Sequence, residues 1–277
     1  MWRLSSLRRI QRVAVALVLV WAVLAAVPVP AQGASVPQSQ VEITGATLVE
    51  FDDASGVWVL QGQPVVITRG PIVVRADLVR YDTKQQLVSA SSSVSYRDNV
   101  VEVFAGTVAV WVLRQQAVAE GDVNAVYHGP EQVRLAAARV EISGKSGETT
   151  ASGKAVLTHR RGTVTAEQIT YEDTTAHALA TGGATAETDD GTLRADRVEA
   201  FLPRQELVAD GNVLMTGRDF EGRAARAVLN QQASTLELSG GATLRLTASV
   251  FSASRIAVDV RTRRVTASGG VHVVAQP

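Results

Sequence analysis

The chain has 277 residues, of which 46% are hydrophobic and 19% are charged. This composition is typical of a globular protein and excludes a disordered or collagen-like chain. Basic and acidic residues number 27 each, so the positive excess of proteins that neutralise nucleic-acid phosphates is absent, and we expect no nucleic-acid partner. Cysteine is also absent, which excludes disulfides, thiolate catalysis and cysteine-ligated zinc.

The first 31 residues have the pattern of a secretory signal peptide. A basic segment from Arg3 to Arg12 precedes an apolar run from Val13 to Val27, and small residues suited to cleavage follow, up to Ala31. The apolar run is shorter than the ~20 residues that span a bilayer. We therefore predict a cleaved signal over residues 1–31, with an uncleaved inner-membrane anchor as the alternative.

A short polar segment, QGASVPQSQ at residues 32–40, follows the leader. It has no apolar period, which predicts a mobile linker. Four of the basic residues lie in the leader, which holds no acidic residue, so the processed chain would carry an excess of four acidic residues.

An internal repeat covers the rest of the chain, and repeats decide fold class before any local feature. The pattern Ala-x-x-φ-x-φ, in which φ is apolar or Tyr, occurs eight times, at Ala46, Ala76, Ala105, Ala137, Ala166, Ala195, Ala224 and Ala253. Sixteen residues after each alanine stands a small residue: Gly62, Ser92, Gly121, Gly153, Gly182, Gly211, Gly240 or Gly269. We call these eight positions the small-residue column. The usual period is 29 residues, and the step after Gly121 is three residues longer.

Each unit of the repeat has the alternation of a β-strand. Around the small-residue column, apolar or small side chains occupy every second position, for example Leu207, Ala209, Gly211, Val213 and Met215. Alternate strand residues point to opposite faces, so this set is predicted to share one dry face while its polar neighbours form a wet face. No helical period appears after the leader. The eight units therefore predict about sixteen strands in an all-β fold.

A glycine in the middle of a strand weakens it, so its recurrence at one position needs a physical reason. Glycine permits a bend at a sheet corner, a bulge, or close approach by a neighbouring strand. A column of Ala and Gly on the dry face would also leave room for an apolar ligand. The sequence leaves these alternatives open.

Two elements of the repeat carry a resemblance. The first is a strand of the form φ-x-Ala-x-Gly-x-Val, present as LVADGNVLMTG at 207–217. The second is Gly-x-φ-x-Ala-x-x-φ-x-Tyr, present as GTVTAEQITY at 162–171 and, in a weaker copy, as GTLRADRVEA at 191–200. Over about residues 41–274 the sequence resembles the OstA-like domain (organic-solvent-tolerance protein A) of the lipopolysaccharide-transport bridge.

The resemblance implies an all-β jellyroll over residues 41–277, with antiparallel strands in two facing sheets. It implies a periplasmic carrier or bridge subunit whose apolar interior shields the acyl chains of lipopolysaccharide or a related glycolipid. The implied partners are inner- and outer-membrane transport components, reached through edge strands, and further copies of the chain in a head-to-tail oligomer. Unpaired strand edges favour such pairing.

The number of units makes this chain longer than a typical single bridge subunit. One extended jellyroll is one interpretation, and a fusion of two family modules is the other. The irregular step of the repeat at 121–137 is the predicted seam for a fusion.

The candidate lipid site is an apolar surface built from both strands of the repeat unit. It comprises Val79, Tyr81, Val94, Val123, Val140, Ile142, Leu157, Ile169, Tyr171, Val198, Val213, Met215, Leu238, Leu244, Val271 and Val273. Groove and closed core have the same pattern in sequence, so either interpretation fits these residues. Arg75, Arg194 and Arg223 each precede a repeat alanine and could meet phosphates at a groove rim, or be solvated charges on a strand face.

No constellation of catalytic residues is apparent in the sequence. The histidines, His128, His159, His177 and His272, are scattered without metal-ligand spacing and are predicted to be solvated surface residues. We therefore predict a protein that is not an enzyme and that needs no metal and no cofactor. The alternative to a lipid carrier is a structural β-solenoid or surface adhesin without a lipid ligand.

Overall fold

The computed structural model of the protein describes most of the repeat region. The described residues are 42–69, 72–97, 101–111, 113–128, 133–143, 145–160, 162–172, 174–189, 191–262 and 264–275. The predicted signal peptide, residues 1–31, and the predicted linker, residues 32–40, lie outside the described residues.

The described residues form seventeen β-strands and a single 3₁₀ turn, Leu202–Arg204. The strands are β1 Glu42–Asp52, β2 Val57–Arg69, β3 Ile72–Asp82, β4 Leu87–Arg97, β5 Val101–Trp111, β6 Gln116–Tyr127, β7 Val133–Ser143, β8 Glu148–His159, β9 Gly162–Glu172, β10 His177–Thr188, β11 Gly191–Phe201, β12 Glu206–Gly217, β13 Phe220–Asn230, β14 Thr235–Leu246, β15 Ser249–Asp259, β16 Arg264–Ser268 and β17 His272–Ala275. The prediction of an all-β jellyroll of repeated strands is confirmed. The last predicted strand is divided into β16 and β17, both of which pair with β15.

The described chain divides into two compact units. The N-terminal unit comprises described residues up to Leu157, with Glu172 and Thr174, and the C-terminal unit comprises the remainder. In the N-terminal unit, β1 to β7 pair antiparallel in chain order. In the C-terminal unit, β10 to β15 do the same. Each hairpin therefore adds the next strand to the one before it.

The small-residue column is where the strands bend. Two consecutive residues adopt positive φ there in six strands, at Ser92–Ser93, Gly121–Asp122, Gly153–Lys154, Gly182–Gly183, Gly211–Asn212 and Gly240–Gly241, and again at Gly269–Gly270 between β16 and β17. The pairing register shifts at the same place, for example between Asp210 and Val213 of β12. Among the alternatives left open by the sequence, the structure therefore shows a bend with a bulge.

One prediction from strict alternation is wrong. Strict alternation predicts that Gly211 shares the dry face with Ala209 and Val213, which are both buried, but Gly211 is only half-buried and the equivalent Gly240 is exposed. The two left-handed residues turn the chain between Ala209 and Val213, so the buried face skips the glycine. The column thus provides backbone freedom rather than space on the inner face.

The repeat alanines line the inside of the bend. Seven of them, from Ala76 to Ala253, are buried, and Ala46 is half-buried. Ala224 pairs with Val213, and Ala253 pairs with Ala242, so each of these two alanines lies opposite the residue two places after the column. A small side chain at this position lets the two halves of each bent strand approach one another.

The hairpin turns that precede the even-numbered strands repeat as well. Asp52 and Asp259 each accept backbone hydrogen bonds within their own turn, Oδ1 of Asp52 from Ala54 N at 3.0 Å and Oδ1 of Asp259 from Thr262 N at 2.7 Å. The Ser55 hydroxyl, followed by the amides of Ala54 and Ser55, lowers the pKa of Asp52, and the Thr262 amide is the largest cause of the lowered pKa of Asp259. These turns are therefore stabilised above the ordinary carboxyl pKa and lose that stabilisation as the pH falls through the lowered values.

At the small-residue column of β4 the backbone is strained. Ser92 and Ser93 adopt φ of 64° and 57° there, although neither residue is glycine. Left-handed backbone costs about 1–2 kcal/mol for a residue with a Cβ, whereas glycine costs more to order by about 0.5–1 kcal/mol. We expect the double variant Ser92→Gly/Ser93→Gly to raise the free energy of unfolding by about 1–2 kcal/mol, measured by urea denaturation. Ser95→Gly, at a regular position of the same strand, should instead lower it. A double variant less stable than the wild type would contradict this account.

Candidate functional site

The inner face of the N-terminal unit has an open apolar margin next to the turns that precede its even-numbered strands. Cross-strand pairing aligns its residues into one row, which we call margin A: Phe51, Trp58, Tyr81, Val88, Val110, Ala117 and Ile142. Trp58 and Ile142 are each 39% exposed, Phe51 is exposed, and the other members are half-buried. Phe51 and Trp58 stack with their ring centroids 4.5 Å apart. Apolar side chains therefore meet solvent along this whole margin.

A second open margin lies on the other side of the bend. Its residues, margin B, are Ile43, Ile67, Val74, Tyr96, Val103, Ala125 and Leu135, again aligned across successive strands. Ile43 is exposed and the others are half-buried. Both sides of the bent strands thus end in partly solvated apolar rows.

Between the margins lies a buried floor. Leu60, Val65, Ala76, Val79, Ala90 and Val94 form one packed cluster. The cluster combines Leu60, from before the bend of β2, with Val65, from after it, so the two halves of the bent strands pack against each other. The half-buried margin residues Val88 and Ile67 pack against the edge of this cluster. The inner face of the N-terminal unit is consequently an apolar trough with a closed floor and open sides.

The same rows are closed in the C-terminal unit. From β10 to β15 the equivalents of margin A, which are Ala178, Ala200, Leu207, Leu229, Leu236 and Val258, are between 0 and 3% exposed, and the row ends in half-buried Val265 of β16. The equivalents of margin B are Ala186, Leu193, Met215, Gly222 and Leu244, all buried, and Phe251, which is half-buried. The interior of this unit is a packed core without open apolar sides along β10 to β14.

The structure distributes the sixteen predicted lipid-site residues among three environments. Twelve are buried: Val79, Val94, Val123, Val140, Leu157, Ile169, Tyr171, Val198, Val213, Met215, Leu238 and Leu244. Tyr81 is half-buried, and Ile142, Val271 and Val273 are exposed. Only Tyr81 and Ile142 belong to an open margin, and Val271 and Val273 flank or lie in the exposed β17. Contact of any of these residues with lipid stays a prediction.

Several margin residues were missed by the sequence analysis. Trp58 and Val88 stand four residues before the small-residue column, as Leu207 does, and Tyr96 stands four residues after it. The signal was therefore present in the repeat, because the same spacing defines the predicted face. The spacing alone does not distinguish a row of side chains that is exposed to solvent from a row that is buried.

The predicted rim arginines, Arg75, Arg194 and Arg223, are all exposed. Arg223 Nε donates to Glu221 Oε1 at 2.7 Å on its own strand. An exposed pair of this kind contributes little to stability. A phosphate contact by these arginines stays a prediction.

The prediction of four solvated histidines is partly wrong. His128 and His272 are exposed, but His159 is 3% exposed and lies on the inner face of β8, two residues after buried Leu157. His177 is half-buried, stacks on the Phe201 ring at 4.7 Å, and has Nε2 3.4 Å from Glu199 Oε2. The alternation of β8 directs His159 inward as it does any other residue at that position.

Within the described ranges, no group of three or more His, Asp or Glu side chains is placed to hold a metal ion. Across those same residues, no helix has both the length and the hydrophobicity of a membrane span.

Comparison with known protein families identifies the family of the chain. The sequence model of the LptA/(LptD N-terminal domain) LPS transport protein family matches residues 42–177 and, in a second match, residues 163–264. The chain belongs to this family. The two matches together span almost the whole described repeat, which agrees with the resemblance to the OstA-like domain.

Comparisons with curated sequences and with solved structures are less informative than the family match. No curated protein sequence matches the chain. Among solved structures, one similar chain is LptH, the LptA-homologous periplasmic component of the lipopolysaccharide transport device of Pseudomonas aeruginosa. It is 16% identical, the match covers 52% of this chain and 95% of that one, and the TM-score is 0.27. Family membership therefore stands on the sequence match.

Proposed function

We propose that this family member is a periplasmic subunit of lipopolysaccharide transport that shields acyl chains, of lipopolysaccharide or a related glycolipid, against its apolar inner face. The observation that carries the proposal is the pair of open apolar margins in the N-terminal unit. Each methylene group removed from water contributes about 0.8 kcal/mol, so a trough several strands long can hold an acyl chain in an aqueous compartment. The role requires binding and release and involves no catalysed step.

The periplasmic location is supported by the leader of the sequence. Its basic segment and apolar run have the order of an export signal. The membership of the chain in an LPS transport family agrees with an envelope location.

Partner subunits would join at strand edges. Nearly every residue of β1 is exposed, as are all residues of β17. Exposed strands offer backbone donors and acceptors to a further strand, which is a common mode of protein association. We propose that inner- and outer-membrane transport components, or further copies of this chain head to tail, pair with these strands.

We also propose that the chain contains two family modules in succession. The two family matches, which overlap between 163 and 177, and the division into two compact units support this organisation. The seam suggested at 121–137 lies within the N-terminal unit, where β6 and β7 pair from Gln116–Ser143 to Tyr127–Val133.

A structural solenoid without a lipid ligand is the second candidate function. The observation that favours it is the closed interior of the C-terminal unit from β10 to β15, where the equivalents of margin A are between 0 and 3% exposed. A purely structural role would need no open margin in either unit.

The two functions are separated by introducing charge into margin A. Val88 and Val110 are half-buried cross-strand neighbours, so a carboxylate at either position stays near water while it interrupts the apolar margin. We expect Val88→Asp and Val110→Asp each to reduce the amount of lipopolysaccharide retained by the mature protein at least tenfold. Native mass spectrometry of protein loaded with purified lipopolysaccharide and freed of detergent measures this retention.

Ser95→Asp is the matched control, because Ser95 is half-buried on the outer face of β4 and pairs with Arg75. Its retention of lipopolysaccharide should equal that of the wild type. Equal retention by all three variants, or a wild-type protein that takes up no lipopolysaccharide, would contradict the carrier function and favour the structural one.

A further inference from the structure

The two units present the same repeat positions in opposite states. Tyr81 and Tyr171 each stand five residues after a repeat alanine, and both are tyrosines on the inner face. Tyr81 in the N-terminal unit is half-buried, whereas Tyr171 in the C-terminal unit is 4% exposed. The difference in exposure therefore comes from the surroundings of the side chain and not from its identity or its place in the repeat.

The difference in side-chain exposure between the two units extends along both margins. In the N-terminal unit no residue of margin A or margin B is fully buried. In the C-terminal unit, Leu207 and Leu236 occupy the margin A position and Met215 occupies the margin B position, and all three are buried. A side chain that a water molecule cannot reach offers no surface to an acyl chain unless the packed halves separate.

Closure of the C-terminal unit is complete enough to oppose such separation. Its largest fully buried side chains include Leu193 of β11, three leucines of β14 (Leu236, Leu238 and Leu244) and Ile256 of β15. Separating the two halves of the bent strands would expose all of these side chains at once. Each side chain would then lose the free energy that its burial contributes. The open margins of the N-terminal unit require no such change to accept a lipid.

We propose that acyl-chain binding is confined to the N-terminal unit, between margins A and B, and that the interior of the C-terminal unit is a sealed core that takes no lipid. This inference rests on the proposed carrier function and assigns it to one part of the chain. The site extends across β1 to β7, a length of about 29 Å at the usual spacing of neighbouring strands. The C-terminal unit then contributes its fold and its exposed β17 rather than a lipid surface.

Photo-cross-linking to lipopolysaccharide tests the assignment on the full mature chain. The photoreactive amino acid p-benzoylphenylalanine replaces Tyr81 or Tyr171, the matched pair, in separate variants. A third variant carries it at Phe104, which is 45% exposed on the outer face of β5 and controls for adhesion of lipid to any exposed aromatic residue. After irradiation with purified lipopolysaccharide, we expect at least tenfold more adduct at Tyr81 than at Tyr171 or Phe104.

The outcomes separate this inference from the proposed function. Comparable adducts at Tyr81 and Tyr171, with little at Phe104, would overturn the confinement to one unit and leave the carrier function standing. No adduct above the Phe104 level at either tyrosine would overturn the carrier function itself. Adduct at Tyr171 alone would overturn the placement of the site.

A second measurement applies if the bulky residue at Tyr171 prevents folding. Amide hydrogen exchange of the unsubstituted chain, with and without lipopolysaccharide, requires no variant. We expect slower exchange in β2 to β7 and unchanged exchange in β10 to β14 when lipid is bound. Faster or slower exchange in β10 to β14 would show that the C-terminal interior opens to lipid, and would overturn the inference.

Discussion

Gly240→Ala is expected to lower the free energy of unfolding by about 3 kcal/mol. Gly240 has a φ of +80°, and a Cβ added to it would lie 2.6 Å from the Cβ of Ala225 on the neighbouring strand. The substitution therefore combines left-handed strain of about 1–2 kcal/mol with a steric clash inside a paired sheet. Urea denaturation followed by far-UV circular dichroism measures the loss.

Gly241→Ala is the matched control for this prediction. Gly241 has nearly the same backbone conformation, with a φ of +76°, but a Cβ there would meet no atom within 4 Å. Its loss should be limited to backbone strain, about 1 kcal/mol. Equal losses for the two variants would mean that close approach to Ala225 is unimportant and that backbone conformation alone selects glycine at the bend.

Leu238→Asp is expected to destabilise the C-terminal unit by at least about 4 kcal/mol. Leu238 is completely buried in β14, between Ala227 and Ile256 on the two neighbouring strands. The substitution removes a large apolar side chain and places a carboxyl group in its apolar surroundings, where the ionised form is poorly solvated. Thermal denaturation of the full mature chain should show the loss as a lower melting temperature.

The pH dependence of that loss provides a second check. Burial raises the pKa of the introduced carboxyl group above that of an unfolded aspartate, so its neutral form is favoured in the folded state. Stability relative to the wild type should therefore recover in part as the pH is lowered from about 7 to about 5. A difference from wild type that grows over this interval would contradict a buried carboxyl group.

Ser239→Asp controls for the chemistry of the substitution. Ser239 is the next residue of β14, is half-buried on the opposite face, and pairs with Arg226 and Arg255 on the two neighbouring strands. A carboxylate between two arginines in contact with water should change the free energy of unfolding by less than about 1 kcal/mol. A large loss here would mean that β14 tolerates no carboxylate on either face.

Much of the fold follows from the repeat itself. The alternation around Leu207 and Leu236 predicts strands with one buried face, and both residues are buried in the structure. The repeat alanines belong to the predicted dry face, and Ala76 and Ala253 are buried in the structure. These features depend on local geometry, because the two-residue period of a strand determines which side chains share a face.

Prediction from local period fails where the backbone departs from it. Gly211 and Asn212 are consecutive left-handed residues, so the inner face skips Gly211, which alternation would count. A signal for this existed, since Asn212, Gly241 and Gly270, which follow the column, are residue types that tolerate positive φ. His159 departs from its prediction for a different reason: histidine is usually solvated, but its position in β8 faces the interior.

An all-β repeat with an apolar inner face follows from the amino-acid sequence, because strand period and the spacing of small residues are properties of neighbouring positions along the chain. That this face is open in the N-terminal unit and closed in the C-terminal unit is visible only in the folded protein. Tyr81 and Tyr171 have the same residue type and repeat position and yet differ in exposure. The exposure of these side chains depends on how closely the two halves of each bent strand approach. That distance results from packing among many strands, so the sequence of one repeat unit does not determine it.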